Sequence, residues 1–122
     1  VEKLNLDFQE FIGAGFMLGH GSIVSIPKDF SMVEYIHHLF EFSAEESCGK
    51  CFPGRLGSYR GKEMFDQALN KSKKIPEKLL NELLVTMKNG CLCALCGAIP
   101  VPIMNILKYF GHEMKNDIVQ EN

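Results

Sequence analysis

PIMNILKYFGHEM, residues Pro102–Met114, places Ile103, Ile106, Leu107, Phe110 and Met114 on one face at a 3.6-residue period, the cleanest such stripe in the chain. Proline at its start suits the first helical turn, where a backbone N–H has no partner to lose. Upstream, Pro76 opens another helix in the same way, and Leu79, Leu80, Leu83, Leu84 and Met87 repeat inward until Gly90 stops it. Before the polar linker Asn70–Lys74, a helix starting near Pro53 carries Tyr59, Met64, Phe65, Ala68 and Leu69. The first of the four follows Ser31 and Glu34, which have capping-box spacing, and presents Met32, Val33, Ile36, Leu39 and Phe40. Four apolar stripes joined by short connections predict a mainly α protein, a four-helix bundle. Residues 4–28 read differently, being rich in Phe and Gly. Ser22–Ile26 reads as a strand stopped by Pro27, and Gly13, Gly15, Gly19 and Gly21 as a turn-rich strand connection, since no Lys-Ser/Thr completes a phosphate loop. The expected organisation is a β-containing segment over 1–28, the end of a preceding domain, and a helical bundle over 29–122.

The 122 residues suffice for one domain, and 46% apolar with 23% charged residues is a globular composition. A formal charge of -2 lacks the basic excess of a nucleic-acid binder. No run of about eighteen apolar residues predicts membrane insertion, and Val1–Asn5 has no signal-peptide character, so the chain reads as cytoplasmic, with Val1 suggesting a piece of a longer protein.

The chemistry is carried by cysteine. Four of five cysteines form two Cys-x-x-Cys pairs, Cys48/Cys51 and Cys93/Cys96, with Cys91 beside the second. Such a pair offers two thiolates to one centre from a single turn, and a distant pair completes four ligands. An odd cysteine count in tight groups suits metal ligation in a reducing compartment better than a disulfide framework. In an up-down bundle both groups come to the same end, one before the second helix and one after the third. Two centres suit this donor set, zinc and an iron–sulfur cluster. The spacer 52–92 is longer than the ~15–20 residues of compact zinc modules. Turns at Gly49 and Gly54 and the helix start after Pro53 can donate N–H groups to sulfur, with Lys50 and Arg55 adding positive charge.

Glu46-Ser47-Cys48-Gly49-Lys50-Cys51-Phe52-Pro53-Gly54-Arg55-Leu56-Gly57 resembles the E-S-C-G-K-C-x-P-C-R-x-G motif of the NADH-binding 51 kDa flavoprotein subunit of complex I and related NAD(P)-linked hydrogenase and formate dehydrogenase subunits. Every fixed position agrees except 54, where glycine replaces cysteine. Gly90–Gly97, Pro100, Pro102 and Leu107-Lys108-Tyr109-Phe110 are similar to the family's S-L-C-G-L-G segment, proline pair and closing helix, and Ala14–Gly21 with Ile23-Val24 to the run before that domain. The resemblance implies a C-terminal helical bundle holding a [4Fe-4S] cluster, with Cys48, Cys51 and Cys93 as three ligands. With Gly54 in the third position, Cys96 is the expected replacement; Cys91 or a non-cysteine ligand is the alternative. It implies an electron relay from flavin, served by a flavin/NADH-binding domain or subunit and other iron–sulfur subunits. The family's flavin and NADH sites lie in a separate domain, so no complete active site is expected in this chain.

Two other functions compete. A zinc-stabilised interaction domain would keep the bundle without redox work. A cysteine enzyme would need His20, His37, His38 or His112 to reach a thiol through folding.

Overall fold

The computed structural model describes residues 4–120. Eight regular segments and one 3₁₀ turn follow in order: α1 (Phe8–Gly13), α2 (Met32–Glu46), α3 (Phe52–Leu69), β1 (Ile75–Pro76), α4 (Glu77–Gly90), α5 (Ala94–Ala98), α6 (Pro100–Phe110), the turn Gly111–Met114 and β2 (Ile118–Val119). The fold is mainly α, and α2, α3, α4 and α6 are the four bundle helices.

Helix α2 begins where the cap signal places it. The Ser31 hydroxyl accepts the Glu34 N–H at 3.3 Å, satisfying one of the unpaired donors of the first turn. Its inward face carries Met32, Val33, Ile36, Phe40, Ser43 and Ala44. Phe40 meets Phe65 of α3 with ring centroids 5.7 Å apart. Full burial of such a ring contributes roughly 1.5–3 kcal/mol. Leu80, Leu84 and Met87 of α4, with Ile103 and Ile106 of α6 and Met114 beyond it, close the same core.

Three expectations about inward residues change. Tyr59 is exposed, because α3 turns Gly54, Gly57, Ser58 and Gly61 inward instead. Leu79 and Phe110 also lie at the surface, on the outer margins of their stripes. The closing helix starts at Pro100 rather than Pro102, preceded by the short α5.

The strand expected at Ser22–Ile26 does not form. Extended backbone needs a neighbour for its N–H and C=O groups, and no strand of the described residues offers one there. Ile23 and Val24 are exposed. The segment instead contains α1, capped by Asp7, whose carboxylate accepts the Gln9 and Glu10 amides. Gly15, Gly19 and Gly21 take positive φ in the turns that follow. Phe16 stacks on Tyr109 at 5.8 Å and Asn105 donates to the Gly15 carbonyl at 3.3 Å, which ties this segment to α6. Residues 1–3 of the expected N-terminal unit lie outside the described residues. The recorded β structure is a two-residue parallel ladder, Ile75 opposite Ile118 and Pro76 opposite Val119.

Ala94–Met114 is long and apolar enough by composition to cross a membrane. Here it divides at Ile99 into α5, α6 and the 3₁₀ turn, and Cys96, Pro100, Ile103, Ile106 and Met114 are buried in the fold.

Candidate iron–sulfur site

Both cysteine groups lie at one end of the bundle. Cys48 sits in the loop after α2, and Cys51 is the residue from which α3 starts. Gly49 makes the turn between them at φ +70°, a conformation that a side chain would strain, and its N–H donates to Ser47 Oγ at 3.3 Å. The Arg55 stem lies over this turn. Cys91 ends α4, and Cys93 begins α5, which carries Cys96 one turn on. The two helix junctions touch directly: a Cβ on Gly90 would lie 3.0 Å from the Pro53 ring.

The thiols of Cys51 and Cys96 converge at Gly54, and Cys91 lies beside Cys51. A Cβ at Gly54 would stand 2.9 Å from Cys51 Sγ and 3.2 Å from both Cβ and Sγ of Cys96. The space that a third cysteine of the motif would use is therefore filled by the Cys51 and Cys96 side chains. Cys96 is 2% exposed, whereas Cys48 and Cys93 are exposed on the flanking loops and Cys51 and Cys91 half-buried. All five thiols are free.

Electrostatics separates the two half-buried thiols. Backbone N–H groups of Leu92 and Gly54, foremost, hold the Cys51 thiol below its ordinary range, with help from the neighbouring Cys91. Burial, followed by the negative charge of Cys51, pushes Cys91 up to about 12. A thiol that ionises readily is a better metal ligand than one kept protonated. Cys91 thus lies beside Cys51, and the two thiols differ in how readily they ionise.

Cys96 is held by three oxygens. Ser43 Oγ donates to its sulfur at 3.7 Å, and the sulfur donates toward Ser47 Oγ at 3.8 Å and the Gly54 carbonyl at 4.0 Å. The sequence reading missed Ser43. A signal existed, since Ser43 follows Ile36 and Phe40 at seven and three residues and so falls on the core face of α2.

The donor set suits an iron–sulfur cluster. Thiolates, amides aimed at sulfur and a small-residue cradle at Gly54 are what such a centre needs from protein. Among the described residues no three His, Cys, Asp or Glu side chains are drawn in around a single ion position. A cluster separates its ligands more widely than one ion does. Three of the four histidines have partners other than a thiol, His37 bonding Asp66 at 2.7 Å, His20 meeting Ser22 and His112 facing Glu113, and His38 is exposed on α2.

Residues 34–117 match the family described as the NADH-ubiquinone oxidoreductase-F iron-sulfur binding region. The chain is 31% identical over 110 residues to the NADP-reducing hydrogenase subunit HndC of Solidesulfovibrio fructosivorans, covering 88% of this chain and 22% of that protein. It is 30% identical over 118 residues to the F subunit of NADH-quinone oxidoreductase from Rickettsia bellii, covering 96% of this chain and 28% of the relative. Against the corresponding protein of Streptomyces coelicolor it is 32% identical over 114 residues, 93% of this chain and 25% of the relative. The chain therefore spans about a quarter of the length of these relatives. Its fold is similar to that in the crystal structure of an NAD+-reducing [NiFe]-hydrogenase in the air-oxidised state, with TM-score 0.69 and 20% identity, covering 80% of this chain and 17% of the other.

Proposed function

Since the chain belongs to the NADH-ubiquinone oxidoreductase-F iron-sulfur binding region family, we propose that it is the iron–sulfur electron-transfer module of a larger NAD(P)H-linked oxidoreductase, with Cys48, Cys51, Cys93 and Cys96 as ligands of a [4Fe-4S] cluster. Bound there, such a cluster takes and gives single electrons, between reduced flavin and neighbouring iron–sulfur centres. The protein supplies position and charge compensation. Backbone N–H groups of Leu92 and Gly54 favour the Cys51 thiolate, and Cys48 and Cys93 are exposed.

The observation that carries the reading is the filling of the Gly54 space by the Cys96 side chain. Family pattern and this chain then differ by an exchange of positions: cysteine leaves 54 and appears at 96, and the thiol still reaches the same small volume.

The remaining parts of the assembly are read from length and surface. The chain spans about a quarter of its relatives, which is consistent with a flavin/NADH-binding domain or subunit as its electron donor and other iron–sulfur subunits as its acceptors. Residues 1–28 are the end of the preceding domain, a reading supported by exposed Leu6, Phe8, Ile12, Ile23 and Val24. Around the cysteine end Phe52, Leu56 and Leu92 are exposed, an apolar rim suited to a partner surface. An odd cysteine count in tight groups favours a reducing compartment, the cytoplasm, for the assembly.

Anaerobic reconstitution with iron and sulfide tests the reading. The expected product is brown, carries four irons per chain as [4Fe-4S] implies, and gives an EPR signal on reduction. Cys96→Ser is expected to lose most iron and visible absorption, and Cys91→Ser to keep both. Tight zinc binding with no iron uptake would point to the interaction-domain function instead.

A further inference from the structure

Ser43 is fully buried in the middle of the apolar face of α2, at 0% exposure. A hydroxyl taken out of water needs a hydrogen-bond partner, and a helical serine usually finds one in the carbonyl four residues back. Ser58, the other buried serine, does so: its hydroxyl donates to the Gly54 carbonyl at 2.6 Å. Ser43 does not follow that pattern. Its hydroxyl reaches across the helix interface to α5 and donates to the Cys96 sulfur at 3.7 Å.

We propose that Ser43 is a positioning residue that fixes the Cys96 sulfur and, by donating to it, raises the reduction potential of the iron–sulfur centre ligated there. The proposal rests on Cys96 being a ligand. As a thiol, Cys96 can donate its own proton to Ser47 Oγ or to the Gly54 carbonyl. As an iron-bound thiolate it has no proton, and both oxygens present lone pairs unless a hydroxyl turns. Ser43 already points its donor at the sulfur, and Ser47 can rotate to do the same while its oxygen accepts the Gly49 N–H. Reduction adds negative charge to the centre and spreads part of it onto its ligand sulfurs. An O–H dipole aimed at one of those sulfurs therefore stabilises the reduced form more than the oxidised form, more strongly in a buried site than in water. Burial also removes the competition of solvent hydrogen bonds at this ligand, which exposed Cys48 and Cys93 retain.

The test is an EPR-monitored redox titration of anaerobically reconstituted wild type, Ser43→Ala and Ser58→Ala, each assayed for iron and sulfide. Ser43→Ala is expected to hold a full cluster with its midpoint shifted to more negative potential, and Ser58→Ala to leave the midpoint in place. A cluster-replete Ser43→Ala protein with the wild-type midpoint, or the same shift in Ser58→Ala, overturns the proposal while leaving the cluster assignment standing. Wild type that takes up no iron defeats the assignment itself, and the proposal with it. Where Ser43→Ala packs too poorly to hold iron, the isosteric pair Ser43→Thr and Ser43→Val makes the same comparison. Threonine is expected to retain the higher midpoint, and equal values in the pair overturn the role of the hydroxyl.

Discussion

At residue scale, the site turns on one glycine and one cysteine. Gly54 is small because Cys51 and Cys96 already fill the space above it, and Cys96 reaches that space because α5 starts at Cys93 and turns its next thiol inward. The two positions are therefore coupled. Gly54→Cys alone is expected to lose iron, because the new Cβ would lie 3.2 Å from both Cβ and Sγ of Cys96 and displace that side chain. Cys96→Gly alone removes a ligand. Combined, the two substitutions recover the motif's arrangement, and iron and sulfide content is expected to return toward the wild-type value; a double variant no better than either single one would argue against the exchange. The paired cysteines were legible from spacing alone. The difference between Cys91 and Cys96 was not, because it depends on burial and on amides contributed by other segments.

At the scale of elements, α3 explains the packing of the bundle. Gly54, Gly57 and Gly61 recur at intervals of three and four, so they share one helix face, and each costs about 1 kcal/mol relative to alanine in helix propensity. Close approach offsets that cost. A Cβ on Gly57 would lie 2.8 Å from the Met87 side chain, and one on Gly61 would fall within the Phe40 ring. Gly61→Ala is expected to destabilise the fold by about 1–3 kcal/mol through overpacking. Gly111→Ala, where a Cβ meets nothing within 4 Å, should stay within about 0.5 kcal/mol. Urea unfolding of both variants makes the comparison. An apolar count read Tyr59 as inward; the small-residue face of α3 turned it outward, because packing against α2 and α4 favours proximity over side-chain volume.

The α2–α3 contact also carries a pH-dependent ion pair. Lys62 Nζ lies 2.9 Å from Glu41 Oε1 and lowers the Glu41 pKa below 4.5, while Glu41 raises that of Lys62 above 10.5. A carboxylate with a depressed folded pKa contributes stability that is present above pH 4.5 and lost as pH falls through the lower folded value. For the lysine the sign reverses: its contribution is present below pH 10.5 and lost as pH rises through the raised value. Glu41→Gln is expected to flatten the acid limb of the stability profile, seen as a smaller fall in the urea midpoint between pH 6 and pH 3 than wild type shows. Both groups are exposed enough for the effect to be small and weaker in high salt.

For the whole molecule, local pattern determined the helix order, the mainly α class, the capping of α2 at Ser31 and the arrival of both cysteine groups at one end. These follow from apolar periodicity, proline and glycine positions, and short connections, all properties of neighbouring residues. The strand reading at Ser22–Ile26 failed for a related reason. β-branched residues supply a tendency, but a strand exists only with a partner, and the described residues place none beside it. Conversely, Ile75–Pro76 and Ile118–Val119 pair although neither run is long enough to show a period, because folding brings the α3–α4 linker alongside the C-terminal tail. Spacing along the chain picks out the candidate thiols. Which of them crowd Gly54, that Ser43 donates to one of them, and that Cys91 is pushed toward protonation follow from packing, since burial, amide direction and close approach are set between segments distant in the chain.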